Sequence, residues 1–172
     1  MVKDFEDKPF PRVGIYGAGA LGGWIGAALA PAGCNVSVVA RGATLAALRQ
    51  HGLRVQRGEH VTTVQVQASD DPAALEAQDL VVVAVKAPAL AGVARRIAPL
   101  LGEDTVVLTA MNGVPCGFLD GFGGRFAGTR LTSVDPDGEI ARAIATRHVI
   151  GCVVHASCAL NGPGFVHHRF GN

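Results

Sequence analysis

The sequence has few cysteines, and none of them stands in the spacing of a structural framework. The four cysteines are scattered along the chain: Cys34, Cys116, Cys152 and Cys158. Disulfide frameworks and zinc sites are normally visible as short, regular spacings such as C-x-x-C, which do not occur here. We therefore expect separate thiols that serve as small apolar side chains in a reducing compartment.

The sequence also lacks an excess of charge of either sign. Fifteen basic residues nearly balance 14 acidic ones, for a net charge of +1, and the basic residues are spread along the chain. Nucleic-acid-binding domains usually carry a basic stripe, so we expect no nucleic-acid partner. With 49% hydrophobic and 17% charged residues, the composition is that of a globular protein, and 172 residues suit one domain.

Targeting signals and several catalytic motifs are missing as well. The opening MVKDFEDKPFPR mixes three acidic with three basic residues, whereas a secretory signal leads from a basic segment directly into an apolar one. We therefore expect a cytoplasmic protein. The six histidines form no H-E-x-x-H and no ligand-spaced set with cysteines, so we predict no metal site. G-x-S-x-G and GxxxxGK[ST] are also absent, which gives no support to a serine nucleophile or a P-loop ATPase.

One long uncharged stretch is present, VGIYGAGALGGWIGAALA at residues 13–30. Its glycines form overlapping G-x-x-x-G pairs, as in a membrane helix. A spanning helix needs about 20 apolar residues, however, and here glycines follow directly on a short β-branched segment at 12–16. We interpret the stretch as a strand, a turn and a helix, and we expect no membrane partner.

Within this stretch, Gly17-Ala18-Gly19-Ala20-Leu21-Gly22 forms a G-x-G-x-x-G motif. The first glycine permits a tight turn, the second lets the backbone approach a pyrophosphate, and the third lets the helix pack closely on the strand. The pyrophosphate then lies at the helix N-terminus, where free N–H groups and the helix dipole favour negative charge. Since a strand precedes the motif and a helix follows it, a dinucleotide-binding turn is favoured over a purely structural glycine turn.

β-branched runs alternate with alanine- and leucine-rich segments along most of the chain. This pattern predicts strands at 12–16, 35–40, 79–86, 105–110, 148–160 and 164–171, with a half-exposed hairpin over 53–68. It predicts helices at 20–33, 44–52, 71–78, 88–102 and 135–146, and a glycine-rich loop at 113–128. The β-α-β rhythm is typical of an α/β fold of Rossmann type, with a doubly wound, mostly parallel sheet.

The end of the second predicted strand carries Arg41 where NAD-binding units usually carry an acidic residue. No acidic residue occurs between Asp7 and Glu59. A guanidinium pairs with a 2′-phosphate through two parallel charge-assisted hydrogen bonds, whereas a carboxylate would repel it. We predict NADP(H) as the cofactor, the alternative being an exposed loop arginine without a ligand. Arg95 and Arg96, on the helix predicted at 88–102, are interpreted as a solvated helix face.

Together these segments resemble the ketopantoate reductases (2-dehydropantoate 2-reductases). The matching segments are GAGALGG (17–23), ARG (40–42), LAALRQHGLRV (45–55), DLVVVAVKA (79–87) and NGV (112–114), with a weaker match over 153–172. The resemblance implies that Lys86 and Asn112, at the ends of adjacent strands, contact the cofactor near its nicotinamide, that Asn112 also contacts substrate, and that Ser157 lies against the cofactor. The residues alone leave open a solvated strand-end lysine and an ordinary N-G turn.

The resemblance also implies an activity, the transfer of hydride from C4 of NADPH to the C2 carbonyl of 2-dehydropantoate, which yields pantoate for pantothenate synthesis. A small 2-oxo acid is thus the implied substrate. In this family an all-helical domain follows the sheet and supplies the general-acid lysine and the substrate-holding groups. The present sequence does not contain it, so the catalytic residues stay unassigned and we expect cofactor binding with little or no turnover.

Two alternatives remain open at this point: a related reductase of another 2-oxo acid, and a non-catalytic module that senses NADP(H). The oligomeric state also stays open, with a homodimer among the alternatives, because a sheet domain without its helical partner would expose apolar surface.

Overall fold

In the computed structural model, residues 11–113, 119, 123–126 and 128–171 are described. The strands in these ranges are β1 (Arg12–Tyr16), β2 (Asn35–Val39), β3 (Leu53–Arg57), β4 (His60–Val64), β5 (Gln67–Ser69), β6 (Gln78–Val83), β7 (Leu101–Ala110), β8 (Val149–Cys152), β9 (Ser157–Gly162) and β10 (Phe165–Phe170). The α-helices are α1 (Ala20–Leu29), α2 (Gly42–His51), α3 (Leu90–Ala94) and α4 (Glu139–Ala143). Single-turn 3-10 helices lie at Pro72–Ala74, Ala87–Ala89, Ala98–Leu100, Gly124–Phe126 and Thr146–His148.

Six parallel strands form the main sheet, in the order β5-β2-β1-β6-β7-β8. From β1 the chain winds outward through β2 and β5, then returns to β6 on the other side of β1 and winds outward again through β7 and β8. The direction of winding therefore reverses between β1 and β6. This arrangement confirms the predicted doubly wound α/β fold of Rossmann type.

The main sheet is covered on both faces. Val82 of β6 packs into the core that includes Val13 and Ile15, while its neighbours Val81 and Val83 pack into the core on the opposite face. All three β6 valines are fully buried. A parallel strand that is covered on both sides needs apolar residues at every position rather than at every second one, which explains the unbroken valine run.

A second, smaller sheet packs against α1, with the strand order β4-β3-β10-β9. Helix α1 lies between the two sheets, and its glycines allow this close approach. A Cβ on Gly26 would lie 3.2 Å from Cγ1 of Ile15 in the main sheet and 3.3 Å from Cδ2 of Leu53 in the second sheet. On Gly23 it would lie only 2.7 Å from Cγ2 of Val166. These contacts leave no room for larger side chains at either position.

The single tryptophan of the chain, Trp24 on α1, also faces the second sheet. Its ring stacks on that of His168 of β10, with centroids 5.0 Å apart and an interplanar angle of 8°. The Nε–H of Arg57 donates to Nδ1 of His168 over 3.3 Å, so the histidine is held between an arginine and the indole. His168 is buried in this position.

The second sheet corrects three strand predictions. The single strand predicted at 148–160 is two strands, β8 in the main sheet and β9 in the second sheet, separated by residues 153–156. The hairpin predicted over 53–68 is confirmed for β3 and β4, but β5 leaves it to pair in parallel with β2 in the main sheet. The strand predicted at 164–171 corresponds to β10, which pairs with β3 and β9 in the second sheet rather than extending the main one. Alternation along a strand identifies its buried face, but not the strand beside which it lies.

Three helix predictions are too long because of local interruptions. The helix predicted at 71–78 is one 3-10 turn, capped by Asp71, whose Oδ1 accepts from the Ala73 N–H over 3.1 Å; β6 already begins at Gln78. The helix predicted at 88–102 is divided into α3 and two 3-10 turns. Each of these turns has a proline at its second residue, Pro88 and Pro99. Within 135–146, only Glu139–Ala143 is α-helical.

The remaining predictions concern the loop, the thiols and the membrane alternative. Most of the loop predicted at 113–128, including Cys116, lies outside the described residues. Cys34, Cys152 and Cys158 are free thiols, and Cys34 and Cys158 pack against the core as expected. Among the helices of the described ranges, none is long and apolar enough to cross a membrane.

Candidate functional site

A cleft of about 380 Å³ opens beyond the ends of β1, β2 and β6. Three strand-to-helix connections and the second sheet line it: residues 16–19 after β1, residues 39–41 and Thr44 after β2, Val85, Ala89, Gly92, Val93 and Arg96 after β6, and Leu160 of β9. In open α/β sheets, ligands bind outside the carboxyl ends of the strands where the winding reverses. The cleft lies at this point of the main sheet.

Two glycines of the G-x-G-x-x-G motif are required by the fold itself. Gly17 has a φ of +100°, its N–H donates to the Val39 carbonyl over 3.1 Å, and a Cβ there would lie 2.7 Å from Cγ1 of Val85. A Cβ on Gly22 would overlap the carbonyl oxygen of Gly17 and lie 3.1 Å from Cγ2 of Ile15. The tight turn and the close packing of α1 on β1 therefore depend on these two residues.

The middle glycine differs from both. Gly19 precedes the first residue of α1 with a φ of −71°, a conformation open to any residue. A Cβ built on it would meet no atom of the described chain within 4 Å. The start of α1 has no side-chain cap, so no side chain of the turn takes up its N–H groups. The space in front of the helix is thus left open where an anion would bind.

Arg41 reaches the cleft from the end of β2. It is the residue directly before α2, it is exposed, and it lines the cleft beside Ala40 and Thr44. Strands β1 and β2 are paired so that Tyr16 lies opposite Val39. This register brings the two following turns, one with the glycine motif and one with Arg41, to the same edge of the sheet.

A second guanidinium, that of Arg96, lines the cleft, a position that the interpretation of Arg95 and Arg96 as a solvated face did not include. Arg96 belongs to the cleft lining, and its Nη2 donates to the Asp70 carbonyl over 2.9 Å. Its neighbour Arg95 instead donates through Nε and Nη2 to the Glu139 carboxylate over 2.8 and 3.0 Å. Both arginines are exposed, as the sequence interpretation expected, but they bind different partners, and Arg96 also lines the cleft.

Tyr16 lies buried at the base of the cleft, at the end of β1. Burial raises the pKa of its hydroxyl, while the positive charges of Arg96 and Arg41 act in the opposite direction. Both guanidiniums thus act electrostatically on the same group. The cleft combines positive charge with apolar walls from Val39, Val85 and Val93.

Several lining residues escaped the sequence analysis, for different reasons. Tyr16 is the last residue of β1, and Val85 lies two residues beyond the end of β6, so the rule that sites lie at strand ends would have found both. Leu160 is contributed by the second sheet and is 52% exposed. No local signal marks it, because its position depends on how the second sheet packs against α1.

The other predicted site residues lie outside this cleft lining. Ala20, Leu21 and Gly22 form the first turn of α1 behind Gly19. Lys86 is exposed and directly follows Val85 of the cleft. The strand predicted to reach it ends at Val83, and a 3-10 turn begins at Ala87. Ser157 begins β9 in the second sheet, opposite Phe170.

Asn112 lies just beyond the end of β7, and its amide binds the backbone of a neighbouring segment. Its Nδ2 donates to the Val154 carbonyl over 3.2 Å, and its Oδ1 accepts from the Val154 N–H over 2.8 Å. This pair of bonds ties the segment after β8 to the end of β7. Asn112 therefore has a structural role beside the end of β7.

The strand order, the glycine turn and the position of the cleft define a Rossmann-type α/β domain of the kind found in nucleotide-dependent oxidoreductases. The sequence profile described as ketopantoate reductase PanE/ApbA matches residues 13–172. The chain belongs to this family of oxidoreductases, as its motifs indicated.

Individual relatives agree with this assignment. A 2-dehydropantoate 2-reductase of Mesorhizobium japonicum is 44% identical over 158 residues, which cover 91% of this chain and 48% of the relative. A crystal structure from Ralstonia solanacearum MolK2, of a protein assigned as a ketopantoate reductase, superposes with a TM-score of 0.90 at 54% identity, covering 94% of this chain and 50% of that one. A PanE/ApbA family ketopantoate reductase from Ralstonia eutropha JMP134 gives a TM-score of 0.73 at 31% identity, covering 92% and 46%. The chain thus spans about half the length of the relatives it matches.

Proposed function

We propose that this chain is the cofactor-binding part of an NADPH-dependent reductase that converts 2-dehydropantoate to pantoate in pantothenate biosynthesis. One observation carries the proposal: the open space in front of α1 at Gly19 lies in the same cleft as the guanidinium of Arg41. A pyrophosphate fits the first feature and a 2′-phosphate the second. We also keep the prediction that the protein works in the cytoplasm.

The residues present fit such a cofactor along the length of the cleft. The backbone of residues 17–19 and the start of α1 would hold the pyrophosphate, Arg41 the 2′-phosphate, and the apolar walls at Val39 and Val85 the adenine. Lys86 and Asn112, at the ends of the next strands, would lie toward the nicotinamide, and Ser157 against the cofactor. When bound, NADPH supplies the hydride, and these residues fix the position of its donor face.

Two alternatives differ from this proposal in ways that experiments can separate. A related reductase would reduce another 2-oxo acid with the same cofactor. A non-catalytic module would bind NADP(H) in the same cleft without a 2-oxo acid. Both alternatives share the cofactor site, so the first test concerns the cofactor alone.

The test compares NADPH and NADH binding to the 172-residue chain by isothermal titration calorimetry. Arg41→Gln removes hydrogen bonds to a charged group, worth about 1.5–3 kcal/mol, so we expect NADPH affinity to fall roughly 10- to 100-fold. NADH affinity should change less than about twofold, because NADH has no 2′-phosphate.

A matched control is Arg49→Gln, which removes the same charge from α2 at a residue that does not line the cleft. It should leave both affinities unchanged. Equal losses of NADPH and NADH affinity in the Arg41 variant would overturn the assignment of the 2′-phosphate. Absence of NADPH binding by the unmodified chain would overturn the proposed function.

A further inference from the structure

Arg96 holds a fixed position in the cleft but uses few of its donors there. Its Nη2 donates to the Asp70 carbonyl over 2.9 Å, which anchors the guanidinium just beyond the end of β5. Its Nη2 also forms an ion pair with Oδ1 of Asp71 at 3.9 Å, a distance too long for a hydrogen bond. Asp71 also accepts the N–H of Ala73. A guanidinium has five N–H donors, so Arg96 keeps donors for a ligand.

The fold brings Arg96 and Arg41 to the cleft from two different elements. Arg41 follows β2, whereas Arg96 follows α3 and is anchored to the residue after β5. Strands β5 and β2 are hydrogen-bonded neighbours in the sheet, and the Ala40 N–H donates to the Ser69 carbonyl over 3.0 Å. The anchor of Arg96 is therefore part of the same sheet edge that carries Arg41.

Two guanidiniums in one cleft match a doubly charged ligand group. A phosphate monoester carries a charge of about −1.5 to −2 at pH 7 and offers three acceptor oxygens. A single arginine neutralises only half of this charge and can satisfy two of the oxygens in a bidentate pair. Side-chain exposure of 46% keeps Arg96 accessible to a ligand in the cleft.

We propose that Arg96 is a second specificity-determining residue, which together with Arg41 binds the 2′-phosphate of NADPH. The proposal rests on the proposed function, since it assumes a dinucleotide in this cleft. It assigns the preference for NADPH to a pair of arginines on separate elements rather than to the arginine after β2 alone. The Asp70 carbonyl positions the second arginine before the cofactor binds.

The test measures NADPH and NADH dissociation constants by calorimetry for the 172-residue chain and its variants. We expect Arg96→Gln to weaken NADPH binding about tenfold while changing NADH binding less than about twofold. Arg49→Gln is the matched control. The Nε–H of Arg49 donates to the Ala68 carbonyl of β5 over 3.2 Å, so this variant loses the same charge and a similar anchor outside the cleft. It should preserve the ratio of the two affinities.

A second variant covers the case in which loss of the Asp70 anchor disturbs folding. Arg96→Lys keeps the positive charge and should retain NADPH affinity between that of the unmodified chain and that of Arg96→Gln. Equal losses of NADPH and NADH affinity in both variants would show that Arg96 only supports the structure, and would overturn the proposal. If Arg41→Gln selectively weakens NADPH binding and Arg96→Gln does not, the role assigned to Arg96 is wrong and the proposed function still stands. If the unmodified chain binds no NADPH, the proposed function fails with it.

Discussion

The three glycines of the first turn meet different surroundings, although they belong to one motif. Gly17 adopts a left-handed backbone conformation, and Gly22 lies against the carbonyl of Gly17. Gly19 has neither constraint, because its backbone is extended and a Cβ there would project into open space. A purely structural glycine turn gives no reason for a glycine at position 19. A bound pyrophosphate does.

This difference yields a prediction about Gly19→Ala. The variant should fold with a loss of about 1 kcal/mol or less, the usual difference between glycine and alanine before a helix. Its affinity for NADPH should fall at least tenfold, because the added methyl group occupies the space that a pyrophosphate needs. Thermal unfolding measures the first effect and calorimetry the second.

Gly22→Ala provides the contrasting variant for the same experiment. Its Cβ would overlap the Gly17 carbonyl, so this change should destabilise the fold even without a ligand. If Gly19→Ala binds NADPH as tightly as the unmodified chain, the motif does not hold a pyrophosphate.

Single residues also show how far the sequence predicts the site. Arg41 was predicted because its position relative to the glycine motif is set by one β-α-β unit of fixed length. Arg96 was not, because its position depends on a hydrogen bond to Asp70, 26 residues earlier in the chain. The adjacent Arg95 has the same local sequence environment and a different partner, Glu139. Local pattern cannot distinguish the two.

At the scale of elements, α1 is confined between two sheets. Gly23→Ala would place a Cβ 2.7 Å from Cγ2 of Val166 in the second sheet. Overpacking of this kind costs about 1–3 kcal/mol, whereas alanine in place of glycine inside a helix gains about 1 kcal/mol. We expect the overlap to outweigh or cancel the gain.

Gly92→Ala on α3 is the control for this experiment, because it makes the same substitution inside a helix without an overlap. No atom of the described chain lies within 4 Å of a Cβ built on Gly92, so this variant should gain helix propensity without a clash. In urea unfolding, Gly92→Ala should exceed Gly23→Ala in free energy of unfolding by about 1–3 kcal/mol. Equal stabilities would mean that α1 can move away from the second sheet at no cost.

Helix α4 depends on one carboxylate that lies before it. Oδ1 of Asp135 accepts from the Ile140 N–H over 3.1 Å, and Oδ2 accepts from the Ala141 N–H over 2.9 Å. Burial raises the pKa of Asp135. Hydrogen bonds from the N–H groups of Ala141, Ile140 and Glu139, together with the charge of Arg142, lower this pKa by more than burial raises it. The net pKa is below the ordinary value.

A depressed pKa in the folded state gives a stability contribution with a defined pH dependence. The contribution is fully present above the unfolded pKa of about 3.9 and is lost as the pH falls through the folded pKa. We expect Asp135→Ala to cost about 0.5–2 kcal/mol at pH 7, with a smaller difference from the unmodified chain at pH 3. Urea unfolding of both proteins at the two pH values measures this difference in the free energy of unfolding. A difference that stays constant, or grows at pH 3, would contradict the assigned cap.

The strands of the main sheet were predictable, but their distribution between two sheets was not. A strand that is buried on both faces has an apolar residue at every position, and β6 shows this directly in its sequence. The assignment of β5 to the main sheet and of β10 to the second sheet is set by pairing between distant segments. The helices after β5 and β6 were overestimated, because prolines and early strand starts shorten them.

At the scale of the whole molecule, the chain corresponds to about half of its relatives. The described residues that line the cleft, among them Gly19, Arg41 and Arg96, come from the two sheets and their connections. Under the proposed function, the selection of NADPH over NADH is therefore decided by this domain.

The stack of Trp24 on His168 has a consequence for spectroscopy. The only indole of the chain lies on the face of α1 that meets the second sheet, and the cleft lining does not include it. Its emission therefore reports on the packing of the second sheet against α1. Fluorescence of this tryptophan therefore monitors the contact between α1 and the second sheet. The emission of NADPH itself is the better signal for cofactor binding in the cleft.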